Sequence, residues 1–397
     1  MMNTNFSVVP KVLTRNPGLA YKLGRSFLRQ SLAGLVDRRF KIDTSSHLSL
    51  VTFRITPLCN LHCLMCNQRG TAGVLKGQYA AQEAKTVIPV EYYKRMVDEI
   101  GHLRPTFYIW GGEPFLYPGL MEFARYSIKN GPVWSVNTNG TFLKKYAEEI
   151  VRDQWHALFV SLDSFEEVND KIRGKGSYRK VVEGFEEINR QKELQGSHLP
   201  YMGIVTTVSN MNYQYLDKLV EAVKDYKLAW HIINLGTYTN DDIIERHREF
   251  MVRTLDTEPD CLHGFNTGFN KGIDGDEFAR ILTRVHSIKT GYPIITVPVI
   301  RPSMIGTYYA QLDVPVRDHC TVPWYQANVD YNGDIYFCSD YPDYILGNLK
   351  EDRLLDAFNN ERAARFRRNL KNTPDGIMPG CVRCYQNMLF GHRRPGF

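Results

Sequence analysis

Arg54-Ile55-Thr56-Pro57-Leu58-Cys59-Asn60-Leu61-His62-Cys63-Leu64-Met65-Cys66-Asn67 is the stretch from which the chain is best read. Its three cysteines are spaced C-x3-C-x2-C and follow an apolar run, Leu48 to Ile55, with the composition of a strand. With 8 cysteines in 397 residues, this spacing arises by chance about 0.003 times per chain. Three thiolates on one tight loop suit three irons of a cubane iron–sulfur cluster. The fourth iron then lacks a protein ligand, and an open metal position is where chemistry takes place. The same spacing also admits zinc with a distant fourth ligand.

The bulk numbers narrow the class. A hydrophobic content of 43% with 23% charged residues is that of an ordinary globular protein. The length gives room for a catalytic domain of about 200 residues and an appendage. The net charge is +6, and with basic residues read as spread along the chain it suits an anionic ligand and disfavours nucleic acid. Eight cysteines without a secretory signal point to metal binding in a reducing compartment, so the expected location is cytoplasmic. Residues 16–40 read as a basic amphipathic helix, capped by Asn16 before Pro17. Leu19, Leu23, Phe27, Leu28, Leu32, Leu35 and Val36 recur near helical spacing, interleaved with Lys22, Arg25, Arg29, Arg38 and Arg39. Such a helix either packs across the main domain or attaches reversibly to an anionic membrane surface, which would make the protein peripheral to the membrane.

Beyond the cysteine loop, short β-branched and aromatic runs alternate with helical patterns. The runs are Thr106–Trp110, Val133–Asn137, Leu158–Leu162, Met202–Val208 and Ala229–Leu235; the helical patterns cover 90–103, 118–129, 142–153, 178–195 and 213–226. With Leu48–Ile55 this makes six strands joined by crossovers. The expected fold is α/β: a partial (β/α)6 TIM-like barrel, too short for eight-stranded closure, with a small C-terminal α+β domain. Ligands of parallel sheets sit beyond the carboxyl ends of the strands. Gly111-Gly112-Glu113-Pro114, Asn137-Thr138-Asn139-Gly140 and Ser161-Leu162-Asp163-Ser164 all fall there. Each alone is a plain turn or cap, and their recurrence at one end marks a site.

Residues 237–312 have weak periodicity, one helix expected over 276–289, and a lone thiol, Cys261. Further on, Tyr325–Cys338 reads as a hairpin turning at Asn332-Gly333, with Cys320 before it and Cys338 at its end. Helices are expected near 352–359 and 361–370, followed by Cys381-Val382-Arg383-Cys384. Four such thiolates suit zinc or a fully ligated 4Fe–4S cluster. The expected divisions are 1–48, a basic segment; 49–236, a catalytic core; 237–312, a segment lining the pocket; and 313–397, an auxiliary cluster domain.

Together the cysteine loop, Gly111–Pro114, Asn137–Gly140, Ser161-Leu162-Asp163 and Arg173-Gly174-Lys175-Gly176-Ser177-Tyr178 resemble the radical S-adenosylmethionine (SAM) enzymes. The resemblance implies a 4Fe–4S cluster on Cys59, Cys63 and Cys66 that binds SAM, and a 5′-deoxyadenosyl radical that abstracts hydrogen. It assigns Gly111, Gly112, Glu113 and Pro114 to the methionine amine, Ser161 to the ribose or carboxylate and Arg173 to the carboxylate, with Asn137 and Asp163 on the same rim. Met65 stands where an aromatic is usual. Cys320-x17-Cys338, Cys381-x2-Cys384 and Ile345-Leu346-Gly347-Asn348-Leu349 resemble the SPASM domain or its short form, twitch. This implies one auxiliary 4Fe–4S cluster on Cys320, Cys338, Cys381 and Cys384, since a later C-x3-C pair is absent.

The architecture is similar to that of twitch-type aminocyclitol dehydrogenases. It implies oxidation of a C–OH in a small sugar- or cyclitol-like molecule, with the auxiliary cluster as electron acceptor, Asp340 as base, and a donor such as flavodoxin or ferredoxin. Residues 1–48 are too short for a peptide-leader domain, which tilts the expectation toward a small molecule. Radical modification of a peptide or lipid head group by epimerisation, cross-linking, dehydration or decarboxylation is the alternative, and a zinc-stabilised binding scaffold is the rival outside enzymes.

Overall fold

Alternating inward and outward side chains explain why the strands assemble as they do. In the computed structural model, which describes residues 12, 14–75, 78–386 and 392–393, seven strands run parallel in chain order: β1 (Leu50–Arg54), β2 (Thr106–Trp110), β3 (Val133–Thr138), β4 (Ala157–Ser161), β5 (Tyr201–Thr207), β6 (Trp230–Asn234) and β7 (Ile294–Val297). On β2 the outward Phe107 and Ile109 are buried. Phe107 lies edge-on to Phe53 of β1, at 5.0 Å, in an aromatic layer completed by Tyr93, Phe123 and Trp134. The intervening Tyr108 and Trp110 point inward, to a cavity. The two periodicities, 2 for strands and 3.6 for the covering helices, place the core between sheet and helices.

Two features depart from the expected six-stranded arrangement. The seventh strand, β7, comes from the segment read as a connection, which also forms the helices Asp241–Leu255 and Gly275–Ser287. Four residues flanked by Pro293 and Pro298 are too few for alternation to register. The C-terminal hairpin forms about Asn332-Gly333, but it extends the main sheet. After β8 (Arg317–Asp318), strand β9 (Gln326–Asp330) pairs parallel to β1 with Leu50 opposite Gln326 and Arg54 opposite Asp330. Then β10 (Asp334–Tyr336) and β11 (Gly347–Asn348) add antiparallel, giving one open ten-stranded sheet. Last, β12 (His392–Arg393) pairs with β8 apart from it.

The register of β1 and β9 is locked by charge. Arg54 Nε donates to Asp330 Oδ1 at 2.8 Å, a second bond runs from Nη2 to Oδ2, and the Tyr331 ring lies 5.2 Å from the guanidinium. The basic N-terminal helix, Pro17–Leu32, continues through a wider turn at Ala33–Asp37 to Arg38–Phe40. It crosses the end of the sheet where strands begin: Ser26 Oγ donates to Ser49 O, Arg29 Nε to Leu48 O, and Asn16 Nδ2 to Tyr201 Oη. The cysteine loop leaves β1 at the opposite end. Among the described residues, no helix is long and apolar enough to cross a membrane.

Candidate functional site

The cysteine loop is fastened to its neighbours by backbone bonds. Leu64 N donates to Ile172 O at 3.0 Å and Gly70 N to Cys66 O at 2.8 Å. The loop after β2 zips onto it, with Gly112 N to Thr56 O at 2.8 Å and Glu113 N to Leu58 O at 2.7 Å. A Cβ on Gly112 would lie 1.9 Å from Leu58 O, and Gly111 has φ +142°, so this approach demands both glycines. Each sulfur meets an N–H: Leu61 N is 3.5 Å from Cys59 Sγ, Arg69 N is 3.4 Å from Cys66 Sγ, and Arg173 Nη1 is 3.9 Å from Cys63 Sγ. Burial pushes the Cys59 thiol up to about 11 and the Cys63 thiol up to about 12. Both are therefore protonated at neutral pH until a bound cation favours the thiolates.

The three cysteines open onto a cavity of about 330 Å³ that Met65, Gly111, Gly112, Asn137, Ser161 and Arg173 also line. Three of the residues named from the sequence stand behind its wall. Pro114 is buried. Glu113 is fully buried: one oxygen accepts from Thr138 Oγ1 (2.7 Å) and Phe115 N (3.3 Å), the other from Asn139 N (2.8 Å). Burial, only partly offset by these donors, holds its carboxyl up at about 7. Its carboxylate thus fastens the exit of β3 to the loop after β2. Asp163 accepts from Thr207 N at 2.9 Å and holds Arg173 Nε at 2.7 Å from its other oxygen, so Arg173 is fixed between Asp163 and Cys63.

The donor set fits a cluster carrying SAM. Three thiols face one cavity, a guanidinium stands beside them, and the carbonyl oxygens of Asn137 and Gln68 are buried on its wall without a hydrogen-bond partner. Among the described residues, no three His, Cys, Asp or Glu side chains converge on one point as a single metal ion requires. A cubane spreads its ligands over four irons and needs no such convergence.

The second cysteine group forms where β10 ends. Cys320, Cys381 and Cys384 are buried and Cys338 is partly exposed. Burial, and then the neighbouring Cys381 and Cys320, push the Cys338 thiol up. Asp340 joins the two groups. It lines the cavity of the first loop, stands two residues after Cys338, and accepts from Tyr385 N, next to Cys384, at 3.2 Å. Burial raises its carboxyl above the usual range. The turn that carries Cys381 and Cys384 is held by the buried Arg383, which donates to the carbonyls of Tyr308, Gln311, Val314 and Val382 at 2.7–3.1 Å.

Several lining residues escaped the sequence reading: Tyr108, Trp110, Asn234, Tyr238, Tyr385 and Gln68. Alternation along β2 carries the signal for Tyr108 and Trp110. Gln68 and Tyr385 sit on loops, where no period exists.

Residues 53–203 match the radical SAM superfamily, and residues 320–385 match SPASM, an iron–sulfur cluster-binding domain. The chain is 30% identical over 191 residues to an AdoMet-dependent heme synthase of Methanosarcina barkeri, covering 47% of this chain and 50% of that protein. It is 22% identical over 339 residues to the tungsten-containing aldehyde ferredoxin oxidoreductase cofactor-modifying protein of Pyrococcus furiosus, covering 83% and 85%. To the serine-type anaerobic sulfatase-maturating enzyme of Bacteroides thetaiotaomicron it is 21% identical over 328 residues, covering 78% and 74%. The match spans about half the length of several relatives, among them the heme synthase, an Fe-coproporphyrin III synthase and the subtilosin biosynthesis protein AlbA. In fold the chain is similar to Streptococcus suis SuiB bound to S-adenosylmethionine, with a TM-score of 0.61 at 15% identity over 89% of this chain and 78% of that one.

Proposed function

We propose that this chain, a radical SAM protein with a SPASM domain, oxidises a neutral polar group on a polypeptide segment bound in the cavity. Cys59, Cys63 and Cys66 would hold the SAM-binding 4Fe–4S cluster, and Cys320, Cys338, Cys381 and Cys384 an auxiliary one. When bound, these groups supply a 5′-deoxyadenosyl radical for hydrogen abstraction and an acceptor for the electron left on the substrate. Asn137, Ser161, Arg173 and the Gly111–Gly112 backbone face the nucleoside cofactor, while Glu113, Pro114 and Asp163 hold that rim in shape from behind. Residues 49–236 serve as the core, 237–312 complete its sheet and cavity, and 313–397 carry the auxiliary site.

One observation carries the oxidative reading: Asp340 opens on the first cavity, stands two residues after Cys338, and accepts from the backbone N–H of Tyr385, the residue after Cys384. A carboxylate there can take the proton of a substrate O–H or S–H beside the site to which the electron leaves. The lining supports the substrate class. Among its described residues the charged ones are Arg173, already paired with Asp163, and Asp340. Carboxylate- and phosphate-rich substrates find no free counter-charge. A hydroxyl- or thiol-bearing peptide side chain meets that limit, and SuiB has been seen with its precursor peptide SuiA. A small sugar- or cyclitol-like polyol is the second reading, favoured by the amides of Gln68, Asn137 and Asn234 on the wall. A donor such as flavodoxin or ferredoxin supplies the reducing electron.

The test is anaerobic. The reconstituted protein is expected to be brown, with about eight irons for two cubanes, and to release 5′-deoxyadenosine on reduction with SAM. Incubation with deuterated peptide pools and polyol pools should carry deuterium into deoxyadenosine from one class alone. A colourless zinc protein, or release that persists after Cys59, Cys63 and Cys66 are all replaced by Ala, would sink the proposal.

A further inference from the structure

The N-terminal helix and its continuation are inside out. Toward the strand ends they bury Ser26, Ala33 and Asp37, with Leu19 as the large apolar residue among them. Toward solvent they present Tyr21, Leu23, Phe27, Leu28, Leu35 and Phe40, 39–73% exposed. Six of the ten large apolar residues that the described chain exposes thus lie between positions 21 and 40. Tyr21 and Leu28 are seven apart, close to two turns, so they share one face, and Leu35 stands exposed in the wider turn that follows. A helix that hides small and polar residues and shows its leucines and phenylalanines is built to be covered.

Charge says by what. Residues 14–41 contain seven cations, Arg15, Lys22, Arg25, Arg29, Arg38, Arg39 and Lys41, against one acid, Asp37, which is buried. Their net charge of +6 equals that of the whole chain, so the remainder is neutral overall. Basic residues occur along the whole chain, and this segment stands out because it sets seven of them against a single acid. We propose that this face binds reversibly to an anionic bilayer surface, with Phe27, Leu28 and Leu35 at the boundary of headgroups and acyl chains. Arg25 and Arg39 flank it toward the lipid phosphates. Self-association through the same face would press one basic rim against another, which like charges oppose.

The placement adds a directional consequence. The helix bonds to Ser49, Leu48 and Tyr201, at the starts of strands, whereas Cys59 follows the end of β1. A bilayer bound there lies across the sheet from the cavity, so the contact tethers the protein and does not deliver lipid to the site.

The test is flotation of the full-length, cluster-loaded protein with phosphatidylcholine vesicles with and without phosphatidylglycerol, together with light scattering for mass. Binding is expected with phosphatidylglycerol and should weaken as salt rises. Phe27→Ser/Leu35→Ser should weaken it about tenfold per side chain, and Arg25→Gln/Arg39→Gln about fivefold per charge. All four positions are at least partly exposed, so circular dichroism and deoxyadenosine release should be unchanged in both variants. Equal binding to both vesicle types, no binding, or binding that neither double variant alters would overturn the proposal. So would a solution dimer that Phe27→Ser/Leu35→Ser dissociates. None of these readouts depends on which substrate the cavity takes.

Discussion

Asp330→Asn should destabilise the chain by about 3 kcal/mol, and Arg54 sets that magnitude. The two side chains are register partners on β9 and β1, 7% and 11% exposed, joined by two bonds. Burial alone would lower the Arg54 guanidinium, but Asp330 raises it well above its ordinary value. Two unit charges about 4 Å apart attract by about 4 kcal/mol at an effective dielectric constant of 20. Removing one partner from a buried pair strands the other and costs about 3–5 kcal/mol. Asparagine retains one acceptor, which places the variant at the low end. Arg54→Met is milder, about 2 kcal/mol, since Asp330 keeps a bond from Tyr331 N at 2.8 Å. The double variant should lose less than the sum of the singles by about 2–3 kcal/mol.

The assay is urea unfolding of the anaerobically purified protein, read by circular dichroism and tryptophan fluorescence with matched m values. Single-variant costs that add to the double within about 0.5 kcal/mol would refute the reasoning, because uncoupled residues do not lock a register. β9 also leads to Cys338, so Asp330→Asn should lose auxiliary iron before iron on the first loop.

Gly112→Ala should abolish deoxyadenosine release, since its Cβ would fall 1.9 Å from Leu58 O beside Cys59; iron analysis should show the first cluster lost with the second retained. Asp340→Asn should keep deoxyadenosine release but lower product formation by about 10²–10⁴-fold, the range of a lost general base, as mass spectrometry of the product would show. His156 should make stability fall under mild acid: its Nδ1 accepts from Trp134 N at 3.0 Å, and burial, then Lys22, lower its pKa to about 4. The unfolded chain binds that proton below about pH 6.5 while the fold resists it. Up to about 3 kcal/mol is therefore lost as pH falls from 6.5 toward 4, and none above. His156→Gln should flatten that slope in urea titrations.

The loops that bear the site were legible because their signals are local. A cysteine spacing, a double glycine and an Asn-Gly turn need no distant partner, and strand alternation placed them at one end of the sheet. What stayed hidden depends on contacts far apart in sequence. No local pattern announces that β9 pairs with β1 across more than 270 residues, or that Arg54 and Asp330 belong together. Residue type marks Glu113 as an acceptor, yet its direction is decided by Thr138 and Asn139 on the cavity wall, which draw both oxygens behind it. The helix at Pro17–Leu32 shows the same limit differently. Apolar spacing predicts two faces but not which one docks, and Ser26 and Arg29, by bonding to strand-end carbonyls, turn the leucines outward.

Arg383 bears on the order in which the protein is made. A guanidinium buried among four carbonyls does for the Cys381–Cys384 turn what an ion does in a zinc knuckle, but it arrives with the chain. The auxiliary pocket is then shaped during folding and filled afterwards, so iron starvation should yield soluble, protease-resistant apoprotein that later accepts its clusters. In Arg383→Met that sequence would reverse: the turn would wait for iron to organise it, and cells short of iron would degrade the chain.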